Sequence, residues 1–212
     1  MASETTAQRS QDDDAVIARP EDLQVLIDVQ HSESACAGAA AGYLLRSIAY
    51  RAGCYAPGIQ EVMFFELQSS LNGGSIDAVS RWFGQRAGDL NTLGYRVLAR
   101  RVTYRTDGIL AWVSEGKGFR GAVLATAYGK LHGVTSGEDI PHAVAIAVDR
   151  GEGPSPDGLL QVDPWPGEAA APGGGGPAKG KRSSRTAISA RLESAHRDHK
   201  YAALILYWTG YA

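Results

Sequence analysis

The chain is poor in cysteine. Two thiols, Cys36 and Cys54, are all that its 212 residues carry. Two cannot build a disulfide framework, and no Cys-x-x-Cys pair is present to begin a zinc site. One disulfide is possible on count alone, but the expectation is two reduced thiols, with no metal and no cofactor. An excess of one charge is lacking too, since the formal net charge is −2. No global field points to nucleic acid or to an anionic membrane surface, and neither partner is expected. Long apolar runs are missing, and nothing approaches the roughly 20 residues of a membrane span. Met1 to Arg19 is polar and acidic, with Asp12-Asp13-Asp14, and has no basic start or apolar run of a secretory signal. A cytoplasmic location is the default that follows.

What is present suits one globular domain with a full core, at 44 % apolar residues. Residues 1–20 read as a disordered tail, and 21–212 as the folded unit. Leu23 to Val29 is a short apolar lead-in or strand. Ala35 to Ala52 has helical spacing, with Ala40, Tyr43, Leu44, Ser47 and Ile48 on one face and Ser32 or Ser34 as candidate N-cap. Pro57 suits the first turn of a second helix. That helix carries Val62, Phe64, Phe65, Leu67 and Leu71 and is stopped by Asn72-Gly73-Gly74. Ser75 caps a third, with Ile76, Val79, Trp82 and Phe83. The aromatics Phe64, Phe65, Trp82 and Phe83 read as core or substrate-cleft residues, with core the favoured reading.

After about residue 94 the pattern changes to strands. Tyr95–Tyr104, Arg120–Tyr128, His142–Asp149, Leu159–Asp163 and Tyr201–Trp208 are β-rich, with short helices at Ile109–Ser114 and Thr186–His196. Pro166 to Arg185 contains Gly173–Gly176 and then Lys179, Lys181, Arg182 and Arg185, and reads as a flexible low-complexity insertion. Helices first and a mainly antiparallel sheet after make the class α+β, a helical lobe over about 35–94 and a sheet lobe over about 95–212.

Chemistry enters with Cys36, placed where a helix begins. The N–H groups and positive dipole end there favour a thiolate. A thiol nucleophile also requires a base, a group to orient that base and donors for an oxyanion. His142 opens an apolar strand about a hundred residues later, and Asp163 ends the next strand just before Pro164. If those strands pair, histidine and aspartate meet near one sheet edge. Gln30, six residues before Cys36, carries an amide able to donate to an oxyanion. Each residue alone has a plainer reading: a buried thiol, a polar strand entrance, a turn residue. Their conjunction in this order carries the weight. His132, His196 and His199 lie among charges and do not form a metal set.

The run Gln30, then Cys36-Ala-Gly-Ala, then Pro141-His-Ala-Val-Ala-Ile-Ala-Val-Asp149, then Leu160-Gln-Val-Asp-Pro-Trp-Pro-Gly167 resembles the papain-like cysteine peptidases. The nearest likeness is to the C39-like branch, which holds bacteriocin-processing peptidases that cut after a double glycine. The resemblance implies a papain-like fold and a peptide or protein substrate. It implies Cys36 as nucleophile, His142 as general base and then acid, Asp163 as the group orienting the imidazole, and Gln30 as oxyanion donor. Two other readings use the same scaffold, a transglutaminase- or deamidase-like acyltransferase and a non-catalytic peptide-binding module. A double-glycine peptidase could also cut its own loop at Gly173–Gly176.

Overall fold

Three helices come first, and the first is buried on every side. A computed structural model describes residues 34–51, 56–69, 71–72, 74–103, 105–115, 119–127, 131, 141–148, 158–165, 179–195 and 202–208. Leu23–Val29, Cys54 and the Gly173–Gly176 stretch lie outside them.

Helix α1 (Cys36–Arg51) is rich in alanine and glycine, and its residues from Cys36 to Ala49 are all buried. An amphipathic stripe is not enough for such a position, because the helix has neighbours all round. Small side chains let those neighbours approach. A Cβ on Gly42 would collide with the Phe64 ring of α2 (Pro57–Leu67). The Arg46 guanidinium lies 4.1 Å from the centre of that ring, a cation–π contact that makes its burial tolerable. Helix α2 starts as the sequence predicts, with Pro57 in the first turn after extended Ala56. It stops at Leu67, so Leu71 lies beyond it.

Helix α3 (Ile76–Thr92) is capped by Ser75, whose hydroxyl accepts the Ala78 N–H at 3.1 Å. Its other end is a Schellman turn. Gly94 has φ of 86°, its N–H meets the Asn91 carbonyl and the Tyr95 N–H meets that of Leu90. This turn reverses the chain into the sheet.

The sheet has six strands: β1 (Val97–Thr103), β2 (Arg120–Ala127), β3 (Pro141–Val148), β4 (Gly158–Asp163), β5 (Lys179–Ser184) and β6 (Ala202–Trp208). Their spatial order is β1-β6-β2-β3-β4-β5, and every pairing is antiparallel. Helices α4 (Thr106–Ser114) and α5 (Arg185–Ala195) fall within this half.

Two clusters make the core. Ala143, Ala145, Ala147, Val123, Leu160, Val162, Leu204 and Leu206 pack with α1 and α3. Val144, Ile146, Val148, Ala122, Leu124, Leu159 and Ala203 pack with α4 and α5. Alternate residues of β2 and β3 thus enter different clusters, which explains why both strands read as continuous apolar runs. The class is α+β, with helices preceding an antiparallel sheet. Within the sheet part, α4 and α5 cover the sheet's second face.

Two further expectations are corrected. Lys179–Ser184, read as part of a flexible insertion through Arg185, is strand β5, and Arg185 begins α5. Edge-strand pairing uses backbone groups and requires no apolar side chains, and basic residues suit an edge because they discourage further pairing. Phe65, read as core, is 70 % exposed, whereas Phe64, Trp82 and Phe83 are buried. The aromatic pattern of α2 does not say which of two adjacent rings turns inward. Among the described residues no helix is long and apolar enough to cross a membrane.

Candidate active site

Cys36 is the first residue of α1. The Ala39 N–H donates to the Ala35 carbonyl at 2.9 Å, so Ala35 holds the cap position that the sequence assigned to Ser34. The alternative, Ser32, lies outside the described residues. The N–H groups of a helix's first turn have no acceptor within the helix, and they point out of the end where the Cys36 side chain sits. A Cβ on Gly74 would lie 3.5 Å from the Ser34 carbonyl oxygen. The turn between α2 and α3 therefore rests against the chain just before Cys36. The thiol is free of any disulfide, and Cys36 is 6 % exposed.

His142 is the second residue of β3, and Asp163 is the last of β4. The antiparallel register, with Ala145 opposite Val162, brings both to the same end of the sheet. Their side chains meet: His142 Nε2 and Asp163 Oδ1 are 2.8 Å apart. A carboxylate can only accept, so the proton of this bond belongs to Nε2. That leaves Nδ1 for the Cys36 thiol, which lies within hydrogen-bonding reach of the ring. The His142 side chain is almost fully enclosed, at 1 % exposure, against 17 % for that of Asp163.

The electrostatics of the ring follow from these contacts. Burial is the largest single influence and opposes the charged form. The hydrogen bonds to Asp163 and Cys36 and the electrostatic attraction of both groups act the other way. Together they outweigh burial and push His142 from its ordinary 6.5 up to about 9. The imidazole is therefore held as a cation at neutral pH.

Trp165 was given no role by its sequence position. Its N–H donates to Asp163 Oδ1 at 3.0 Å. Its ring stands edge-on to the imidazole, with centroids 6.1 Å apart and planes at 87°. One carboxylate oxygen thus serves both the imidazole and its own turn. The signal for this was available in Asp-Pro-Trp, because an aspartate commonly binds the N–H two residues on and proline forbids a continuing strand.

Of the four site residues expected from sequence, three come together: Cys36, His142 and Asp163. The fourth, Gln30, lies outside the described residues, as do His132, His196 and His199. Among the described residues no group of three or more His, Cys, Asp or Glu side chains could hold a metal ion.

No protein-family model matches the chain, and no curated protein matches it. Among solved structures it is similar to the Pseudomonas avirulence protein AvrPphB. Identity is 12 %, coverage 87 % of this chain and 98 % of that one, and the TM-score 0.34. So distant a likeness decides nothing about the chemistry, which rests on the side chains described above.

Proposed function

We propose that the protein is a papain-like cysteine peptidase that hydrolyses an amide bond of a peptide or protein. The observation carrying this reading is one buried imidazole bridging the thiol at the first residue of α1 and a carboxylate, with its charge favoured by both. A buried histidine with no chemical task is cheaper neutral, and a structural ion pair does not require a thiol on its other nitrogen.

In this reading His142 holds the Cys36 proton, giving a thiolate–imidazolium pair. The thiolate attacks the carbonyl carbon of the scissile amide. The oxyanion of the tetrahedral intermediate receives the Cys36 N–H and the Gln30 side chain. His142 passes its proton to the leaving amine, and a thioester remains on Cys36. Water, deprotonated by the ring, then releases the acid and restores the thiol. Asp163 keeps Nε2 protonated and the ring aimed. Residual double-glycine specificity of the C39-like kind belongs to the same proposal.

The test uses a thiol-directed peptidyl chloromethyl ketone or epoxide and intact-mass and peptide mapping. One adduct on Cys36 of the native protein, absent in Cys36→Ala and strongly reduced in His142→Ala, supports the reading. Equal slow labelling of Cys36 and Cys54, unaffected by His142→Ala, would overturn it.

A further inference from the structure

Thr126 carries a buried hydroxyl that no group among the described residues satisfies. The residue is 2 % exposed, and among the described residues its Oγ1 has no hydrogen-bond partner. Buried hydroxyls are nearly always paired, and an orphan asks for an explanation. Its position supplies one. The β2–β3 ladder sets Thr126 directly opposite His142. Opposed residues of an antiparallel pair share a face, with Cβ atoms about 4.5–5.5 Å apart, so the two side chains leave the sheet next to one another. Both ring nitrogens face other partners, Nε2 toward Asp163 and the other toward Cys36. What remains for Thr126 is the C–H edge of the ring. A hydroxyl is a rotor, and an oxygen turned toward ring C–H groups makes a weak contact that strengthens when the ring is charged. Around a ring that is 1 % exposed that dipole is poorly screened.

We propose that Thr126 is a positioning residue of the thiol–imidazole pair, its hydroxyl dipole facing the His142 ring and favouring the imidazolium over the neutral form. The inference rests on the proposed peptidase reading and adds a member to that site. Among the described residues, the titratable groups facing the ring are Cys36 from α1 and Asp163 from the end of β4, both acidic. Trp165, also against it, is uncharged. Removing the Thr126 oxygen takes away support for the cation, so His142 loses its proton at lower pH.

The experiment follows alkylation of Cys36 by iodoacetamide across pH, with peptide mapping to count Cys54 separately. The alkaline limb of the Cys36 profile is compared among wild type, Thr126→Val and Thr126→Ser. Valine keeps the shape and removes the oxygen, while serine keeps the oxygen and removes the methyl. Thr126→Val is expected to move the limb down by about half a pH unit, with Thr126→Ser staying at the wild-type position. An unmoved limb in Thr126→Val, or an equal shift in Thr126→Ser, overturns the proposal. Should Thr126→Val fail to fold by circular dichroism, Thr126→Ala against Thr126→Ser makes the same comparison. In parallel, the His142 ring is titrated by NMR in Cys36→Ala with and without Thr126→Val. A Cys36 profile in wild type that ignores His142 sinks the peptidase reading. The NMR pair then still decides Thr126, through a downward shift or none.

Discussion

Asp163 Oδ1 lies 2.8 Å from His142 Nε2 while also accepting the Trp165 N–H at 3.0 Å. One oxygen therefore performs an electrostatic task and a geometric one, and two substitutions separate them. Asparagine retains an oxygen that can accept both bonds but has no charge. Asp163→Asn is expected to fold with a melting temperature close to wild type, and to move the alkaline limb of Cys36 alkylation to lower pH because the imidazolium loses an anionic neighbour. Asp163→Ala loses the turn bond as well. It is expected to be destabilised by about 1–3 kcal/mol and to label slowly at every pH. Indistinguishable alkylation profiles for wild type and Asp163→Asn would remove Asp163 from the electrostatics of the ring.

The same ring links stability to pH. His142 holds its proton up to about pH 9 in the folded chain, against the ordinary 6.5 expected when unfolded. Folding thus favours the protonated ring. This contribution is complete below pH 6.5 and is lost as pH rises through 9. Urea midpoints of wild type are expected to fall across that window, and those of His142→Ala to fall less. Parallel curves for the two proteins would mean that the native ring does not hold the extra proton.

How much of this was readable beforehand differs from element to element. The strand carrying His142 was legible because both faces of β3 are covered, leaving an unbroken apolar run from Ala143 to Val148. Helix α3 was legible from Ser75 and from its spaced apolar residues, both local signals. The pairing of His142 with Asp163 depends on which strands are neighbours, and sequence order favours it because β3 and β4 are consecutive and adjacent. Strand β5 was hidden. Its Lys-Gly-Lys-Arg-Ser-Ser sequence has no apolar face, and its place is set by hydrogen bonding to β4. Ala35 as cap was hidden as well, since it contributes only a carbonyl and no side chain. Thr126 is silent in the sequence, because the register that sets it opposite His142 is a property of two strands together.

Away from the site, Glu66 ties α2 to α3. Its Oε2 accepts the Trp82 indole N–H at 3.0 Å and the Arg86 Nε at 3.1 Å, and its Oε1 meets Arg86 Nη2 at 2.6 Å. The ion pair itself is half-exposed, 41 % and 34 %, and its charge is worth little. Trp82 is another matter, being 2 % exposed, so losing its acceptor strands a buried donor. Glu66→Ala is expected to cost about 1–3 kcal/mol. Glu66→Gln keeps an acceptor oxygen and is expected to cost less than half of that. Chemical denaturation of the two variants makes the comparison, and equal losses would show that charge rather than the indole bond matters there.

The seat of α1 on the sheet depends on Gly121 of β2. A Cβ there would stand 2.6 Å from Leu44 Cδ2, 3.1 Å from Leu44 Cδ1 and 3.3 Å from the Ile146 carbonyl oxygen. Leu44 is fully buried, so its side chain has no solvent to turn into, and the carbonyl belongs to the neighbouring strand of the ladder. Gly121→Ala must therefore shift α1, the sheet or both. Overpacking of this kind costs about 1–3 kcal/mol. Because α1 begins at Cys36, a shift of the helix also moves the thiol relative to His142. The expected result is a lower melting temperature together with slower Cys36 alkylation at neutral pH. The double variant Leu44→Ala/Gly121→Ala gives the added methyl room, and is expected to recover part of the alkylation rate even though it leaves the core underpacked. A Gly121→Ala protein as stable and as reactive as wild type would show that the helix–sheet contact yields more readily than these distances allow.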